Sequence, residues 1–214
     1  MTPTMQPFVT GLPQPSPPGG PAWEIALLFP PQGEWSEEEY LALDTSRLVE
    51  LSEGCLEVLP IATILHQLIV RFLSRLLETF VAAHAEGEVL VAPLPVHLWP
   101  KKFRAPDIVY FRPHRMKDVH GQPEGADLVV EVVSEGEENR YRDLVTKREE
   151  YAAAGISEYW IVDPQERQIT VLVLEGQAYR EHGVFKPGTV ASSVLLPGFS
   201  ASVDAVLAAG QSIQ

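Results

Sequence analysis

In Asp127-Leu128-Val129-Val130-Glu131-Val132-Val133, five aliphatic residues follow Asp127 with a further carboxylate, Glu131, set among them. An unbroken aliphatic stretch rich in β-branched residues predicts a strand buried on both faces. Burying an ionised carboxylate costs roughly several kcal/mol unless a cation, hydrogen bonds or a metal offsets it. Glu131 therefore predicts a partner. A second acid stands in the same position upstream, where Asp107 follows Pro106 and opens the strand-like Ile108-Val109-Tyr110-Phe111. Twenty-four residues apart in sequence, the two carboxylates can face each other across paired strands.

Working outward, residues 89–98, 108–111 and 128–133 read as strands. Before them, Leu68, Ile69, Phe72, Leu73, Leu76, Leu77 and Phe80 recur every three or four residues, which predicts an amphipathic helix over 64–83. After them, a second helix is predicted over 138–154, stopped by Gly155, then a short strand over 159–162 closed by Asp163-Pro164. Residues 47–51 and 55–59 flank Ser52-Glu53-Gly54 as a hairpin, and 169–174 with 178–182 form another. Ser36 followed by Glu39 matches a capping box and starts a short helix to about Leu43. The order is α, β, β, β, α, β with flanking hairpins.

The chain has 214 residues and 45% apolar content, enough for one domain with a substantial core. Nine of its nineteen prolines fall within residues 1–31, so residues 1–34 are expected to be a disordered tail and 35–210 the folded domain. No apolar run is long enough to span a membrane, no signal peptide is visible at the start, and a cytoplasmic protein is expected. Cys55, the only cysteine, excludes an intrachain disulfide and any zinc site built on several thiolates. The net charge of −13 argues against bulk coating of nucleic acid. Even so, Lys101, Lys102, Arg104, Arg112, Arg115 and Lys117 cluster around a single acid, Asp107. Of these, Lys101, Lys102 and Arg104 are the expected nucleic-acid contacts, the alternative being a solvated loop.

Pro106-Asp107, Glu131-Val132-Val133-Ser134, Lys147 and Glu158-Tyr159-Trp160-Ile161-Val162-Asp163-Pro164 together resemble the Uma-type putative restriction endonuclease family, a branch of the PD-(D/E)XK nuclease superfamily. The match extends upstream through Glu50, Glu53-Gly54 and His66, and covers roughly residues 35–205. The resemblance implies an α/β, restriction-endonuclease-like fold with an αβββαβ core around a mixed sheet. It also implies that Asp107 and Glu131 hold Mg²⁺ or Mn²⁺, that a metal-activated water attacks a DNA phosphodiester, and that Lys147 orients that water and offsets transition-state charge. Glu50 and His66 are candidate supporting or additional ligands. One position departs from the superfamily pattern: Val133 stands two residues after the strand acid, where a lysine is expected, and Lys147 on the following helix takes its place. Glu135 adds a negative charge near the site, where relatives commonly have proline.

Each residue has a plainer role available. Asp107 could cap a turn, Glu131 could pair with a buried arginine, and Lys147, four residues after Asp143, could form a surface helix pair. At the level of function, the alternatives are a catalytically inactive binding or structural module and a metal hydrolase acting on a smaller phosphate ester. A homodimer would suit double-strand cutting, though no heptad or other partner signal specifies one.

Overall fold

The structure is a computed structural model that describes residues 26, 28–84, 86–116 and 118–209. The expected N-terminal tail falls mostly outside the described residues. Chain order runs α1 Glu37–Leu41, β1 Val49–Ser52, β2 Cys55–Val58, α2 Ile64–His84, β3 Glu88–Val91, β4 Val96–Trp99, β5 Lys102–Arg104, β6 Ile108–Phe111, β7 Leu128–Val132, α3 Glu137–Tyr141, α4 Lys147–Ala153, β8 Glu158–Asp163, β9 Gln168–Glu175, β10 Ala178–Phe185, β11 Val190–Ser192, β12 Ser200–Ser202 and α5 Val203–Ala208. Within it, α2, β3, β6, β7, α3–α4 and β8 supply the expected αβββαβ core. The main sheet has the order β10-β9-β8-β7-β6-β3 and is mixed, β7 and β8 running parallel while their neighbours pair antiparallel.

The alternation of β7 decides which side chain goes where. Leu128, Val130 and Val132 join the core against α2 and α5, whereas Val129 and Val133 join the core against α4. Because successive side chains point to opposite faces, Glu131 falls on the α4 side with Val129 and Val133. Both faces of β7 are thus covered, which accounts for its aliphatic composition.

Local signals set several boundaries. Ser36 and Glu39 form the capping box, with Ser36 Oγ accepting from the Glu39 amide and Glu39 accepting from the Ser36 amide. Glu53 and Gly54 both have positive φ, the conformation a two-residue hairpin turn requires. At Gly54 a Cβ would lie 2.5 Å from the Gly33 carbonyl, so only glycine allows that approach.

The structure differs from or adds to the sequence reading in three places. Residues 89–98 make two strands in different sheets, β3 and β4, because Pro93 and Pro95 remove the amide donors a continuous ladder needs. The short β5 joins a separate four-stranded sheet of order β2-β1-β5-β4, packed with α1 around Trp35, Tyr40, Leu51 and Phe103. Order also begins before Trp35: the Gln32 amide side chain bonds the Leu56 backbone in both directions, and the Gly33 N–H donates to the Gly54 carbonyl.

Glu158 fixes the C-terminal segment to the main sheet. It is fully buried and accepts from Trp160 Nε1 at 2.6 Å, Ser193 Oγ at 2.6 Å, Val194 N at 2.7 Å and Leu195 N at 2.8 Å. Glu158→Ala would orphan these donors and is expected to cost about 3 kcal/mol or more, with Glu158→Gln recovering part of it. Urea unfolding of the three proteins measures this, and an unchanged midpoint in Glu158→Ala would contradict it.

Candidate active site

Register brings the two sequence-predicted acids together. β6 and β7 pair Ile108 with Val130, and one step further along the same register sets Asp107 opposite Glu131 on one face. Asp107 Oδ2 accepts from the Val132 N–H at 2.8 Å, which locks its carboxylate onto the next residue of β7. Both acids line one cleft of about 80 Å³ with His66, Arg142, Asp143 and Lys147.

Helix α4 answers the buried charge of Glu131. Lys147 and Tyr151, one turn apart, both reach Glu131 Oε1, the ammonium at 2.8 Å and the phenol at 2.6 Å. Lys147 is 2% exposed, so it is not the surface pair its spacing from Asp143 allowed. Its Nζ also stands 3.3 Å from Glu50 and 3.7 Å from Asp143. Tyr151 carries no signal in the sequence beyond its helical spacing from Lys147.

The helix itself is adapted to this cluster. Between α3 and α4, Arg142–Thr146 forms a π turn closed by the Lys147 N–H donating to the Arg142 carbonyl. The hydroxyl of Tyr159 donates to the Asp143 carbonyl inside that turn at 2.8 Å. Such insertions recur at functional sites.

Glu50 and His66 both lie beside this cluster. Glu50 is fully buried and accepts from Arg104 Nη1 at 2.7 Å and the Ala105 N–H at 2.9 Å. Burial alone would raise its pKa, but Lys147, Arg104 and the Ala105 amide outweigh it and lower the pKa to about 2. His66 Nε2 lies 3.2 Å from Asp107 Oδ2, while its Nδ1 is buried with no partner among the described residues. Burial opposes protonation of His66, yet Asp107, Glu131 and Asp143 together raise its pKa.

Lys101, Lys102 and Arg104 do not form the expected basic face. Lys102 and Arg104 are 4% and 1% exposed. Arg104 Nε and Nη2 bond Glu150 at 2.6 and 2.8 Å, Nη1 bonds Glu50 and Glu57, and Lys102 bonds Glu150 at 2.8 Å. Their charge is neutralised inside the protein, because β5 pairs with β1 and turns them toward carboxylates of β1, β2 and α4. Lys101 alone is exposed, at the β4–β5 turn, and Lys117 lies outside the described residues.

The chain belongs to the Uma2 family, described as "putative restriction endonuclease", whose sequence pattern matches residues 37–204. It is similar in fold to a crystal structure from Anabaena variabilis described as a "putative nuclease belonging to DUF820". The TM-score is 0.67 at 17% identity, over 82% of this chain and 98% of that one. No curated protein matches it. Uma2 membership suggests a nuclease as the activity class of the chain.

Two measurements probe the site without turnover. Arg104→Met removes the guanidinium that Glu50, Glu57 and Glu150 share and is expected to cost about 3–5 kcal/mol in urea unfolding. The salt slope of any nucleic-acid binding should stay as in the parent; a flatter slope would restore Arg104 to the binding surface.

The second measurement uses pH. Burial, followed by the charges of Asp107, Asp143 and Glu50, raises Glu131 to about 8 against the opposing pull of Lys147. An acid whose folded pKa exceeds its unfolded value loses stability as pH rises through the interval between them. His66 and Asp143, both raised, act in the same direction. Metal-free protein should therefore become less stable between about pH 5 and 8, by a few kcal/mol. Glu131→Gln should remove most of that slope, and equal slopes in the two proteins would refute the assignment.

Proposed function

We propose that this Uma2 protein is a metal-dependent endonuclease that hydrolyses DNA phosphodiester bonds. The observation that carries the reading is the pairing of Asp107 and Glu131 on one cleft, each with one oxygen uncommitted. Asp107 Oδ2 and Glu131 Oε1 hold protein donors, whereas Oδ1 and Oε2 accept no hydrogen bond among the described residues. Hard divalent cations such as Mg²⁺ and Mn²⁺ prefer this oxygen chemistry. Among the described residues no three His, Cys, Asp or Glu side chains converge as a complete metal cage. Asp107 and Glu131 would hold such a cation, which when bound would supply positive charge against the attacked phosphate and make a nearby water more acidic.

The protein groups divide the rest of the work. Asp107, held by the Val132 amide, and Glu131, held by Tyr151, present fixed oxygens rather than mobile ones. Lys147 stays charged, since the surrounding carboxylates raise its pKa despite its burial. Its ammonium, hydrogen-bonded to Glu131 and close to Glu50 and Asp143, acts through its charge, offsetting the negative charge that grows on the phosphate oxygens and orienting the attacking water. The adjoining groove of about 310 Å³, lined by Ile61, Leu65, Val133 and Pro164, meets the acid cleft at His66 and Val132 and gives the substrate strand an approach. No helix among the described residues is long and apolar enough to cross a membrane.

Supercoiled plasmid should be nicked in Mg²⁺ or Mn²⁺ and left intact in EDTA. Asp107→Ala should lose both Mn²⁺ binding in calorimetry and nicking. Lys147→Ala should keep Mn²⁺ affinity and nick about a hundredfold more slowly, the cost of roughly 3 kcal/mol of transition-state stabilisation. Cleavage that persists in EDTA, or in Asp107→Ala, would overturn the mechanism.

A further inference from the structure

Three basic side chains line the acid cleft: His66, Lys147 and Arg142. His66 is engaged by Asp107 and Lys147 by Glu131, Glu50 and Asp143. Arg142 differs. Its Nε is buried without a hydrogen-bond partner, and its one ion contact among the described residues is a 3.6 Å approach of that Nε to Asp143 Oδ1. Its Nη groups make no hydrogen bond among the described residues, and the side chain keeps 19% of its surface open.

The π turn accounts for its position. Arg142 and Lys147 are five residues apart and would point about 140° away from each other on a regular α-helix. Widening that turn by one residue, closed from the Lys147 N–H to the Arg142 carbonyl, brings both side chains to the same cleft. A helical irregularity is therefore spent on presenting a second cation beside the reacting centre. Its surroundings are acidic: Asp107, Glu131 and Asp143 line the cleft, with Glu50 behind Lys147. A polyanion approaching such a cleft needs a cation whose donors are uncommitted.

We propose that Arg142 binds a phosphodiester of the substrate strand at the mouth of the cleft, fixing the strand against Asp107, Glu131 and Lys147. This rests on the nuclease reading above. A guanidinium suits the task because its planar donors match two phosphate oxygens at once and its charge is permanent. The role is binding rather than chemistry, so it belongs in KM more than in kcat.

The test is binding of a short labelled DNA duplex in Ca²⁺ across a salt series, with plasmid nicking in Mg²⁺ alongside, for the parent, Arg142→Ala and Arg142→Lys. Arg142→Ala should weaken binding about tenfold, lower the log–log salt slope by about one, and raise KM more than it lowers kcat. Arg142→Lys should regain the slope and part of the affinity, which a loss of folding would not allow. Excess inorganic phosphate should compete poorly with the duplex; strong competition would mean a free-anion site and overturn the strand assignment. Parent-like affinity and slope in Arg142→Ala, with nicking intact, would overturn the role of Arg142 and leave the nuclease reading standing. A parent chain that neither binds duplex nor nicks plasmid would overturn both.

Discussion

The structure depends on how one buried carboxylate is kept in an apolar strand. Glu131 lies within the β7 core, where an unpaired charge would cost several kcal/mol, roughly the margin by which a domain is stable. Lys147 and Tyr151 of α4 offset that cost through one oxygen, and leave the other toward the cleft. The arrangement constrains much else. Helix α4 must cross the sheet so that residues one turn apart both reach the middle of β7, and β6 must pair in the register that sets Asp107 beside Glu131. Relief of the charge remains incomplete, because burial and three further carboxylates still raise the pKa of Glu131. Excess negative charge in a closed space is the condition under which a divalent cation binds best.

The second sheet follows from the same requirement. Register sets Glu50 of β1 opposite Arg104 of β5, and Arg104 reaches on to Glu150, one helical turn beyond Lys147. The four-stranded sheet is thereby joined by ion pairs to the helix that carries Lys147. Buried ion pairs contribute little net stability compared with apolar packing, but they specify geometry and are costly to break. Here the geometry specified is that of the Glu50–Lys147–Glu131 cluster. An acidic chain has used Lys102 and Arg104 internally for this purpose, which leaves Arg142 as the cleft-lining cation with donors to spare among the described residues.

Parts of this arrangement were legible in the sequence because they arise from local rules. An aliphatic run with one acid implies a buried strand and a partner for Glu131; the three- and four-residue period of 64–83 implies α2; Ser36 and Glu39 imply the capped α1. Basic residues 101–104 misled because charge alone does not tell a solvated loop from a strand whose charges are paired inside. The strand β5 is three residues long, too short for any periodicity to show. The C-terminal β11, β12 and α5 were equally invisible, being short elements held by non-local contacts such as those on Glu158.

The sequence by itself determined the αβββαβ order, the strand identity of 128–132 and the candidacy of Asp107 and Glu131, since each follows from residue type and spacing along one segment; Lys147 became a candidate through the family resemblance. Tertiary structure alone decided that Lys147 is buried rather than paired on the surface, that Tyr151 belongs to the cluster, that Arg104 is internal, and that Arg142 faces the cleft. The physical reason is the same in each case. A charged side chain's role depends on which opposite charges come within hydrogen-bonding distance, and those arrive from strands and helices tens of residues away, or through a π turn whose extra residue leaves no mark in the pattern of apolar positions.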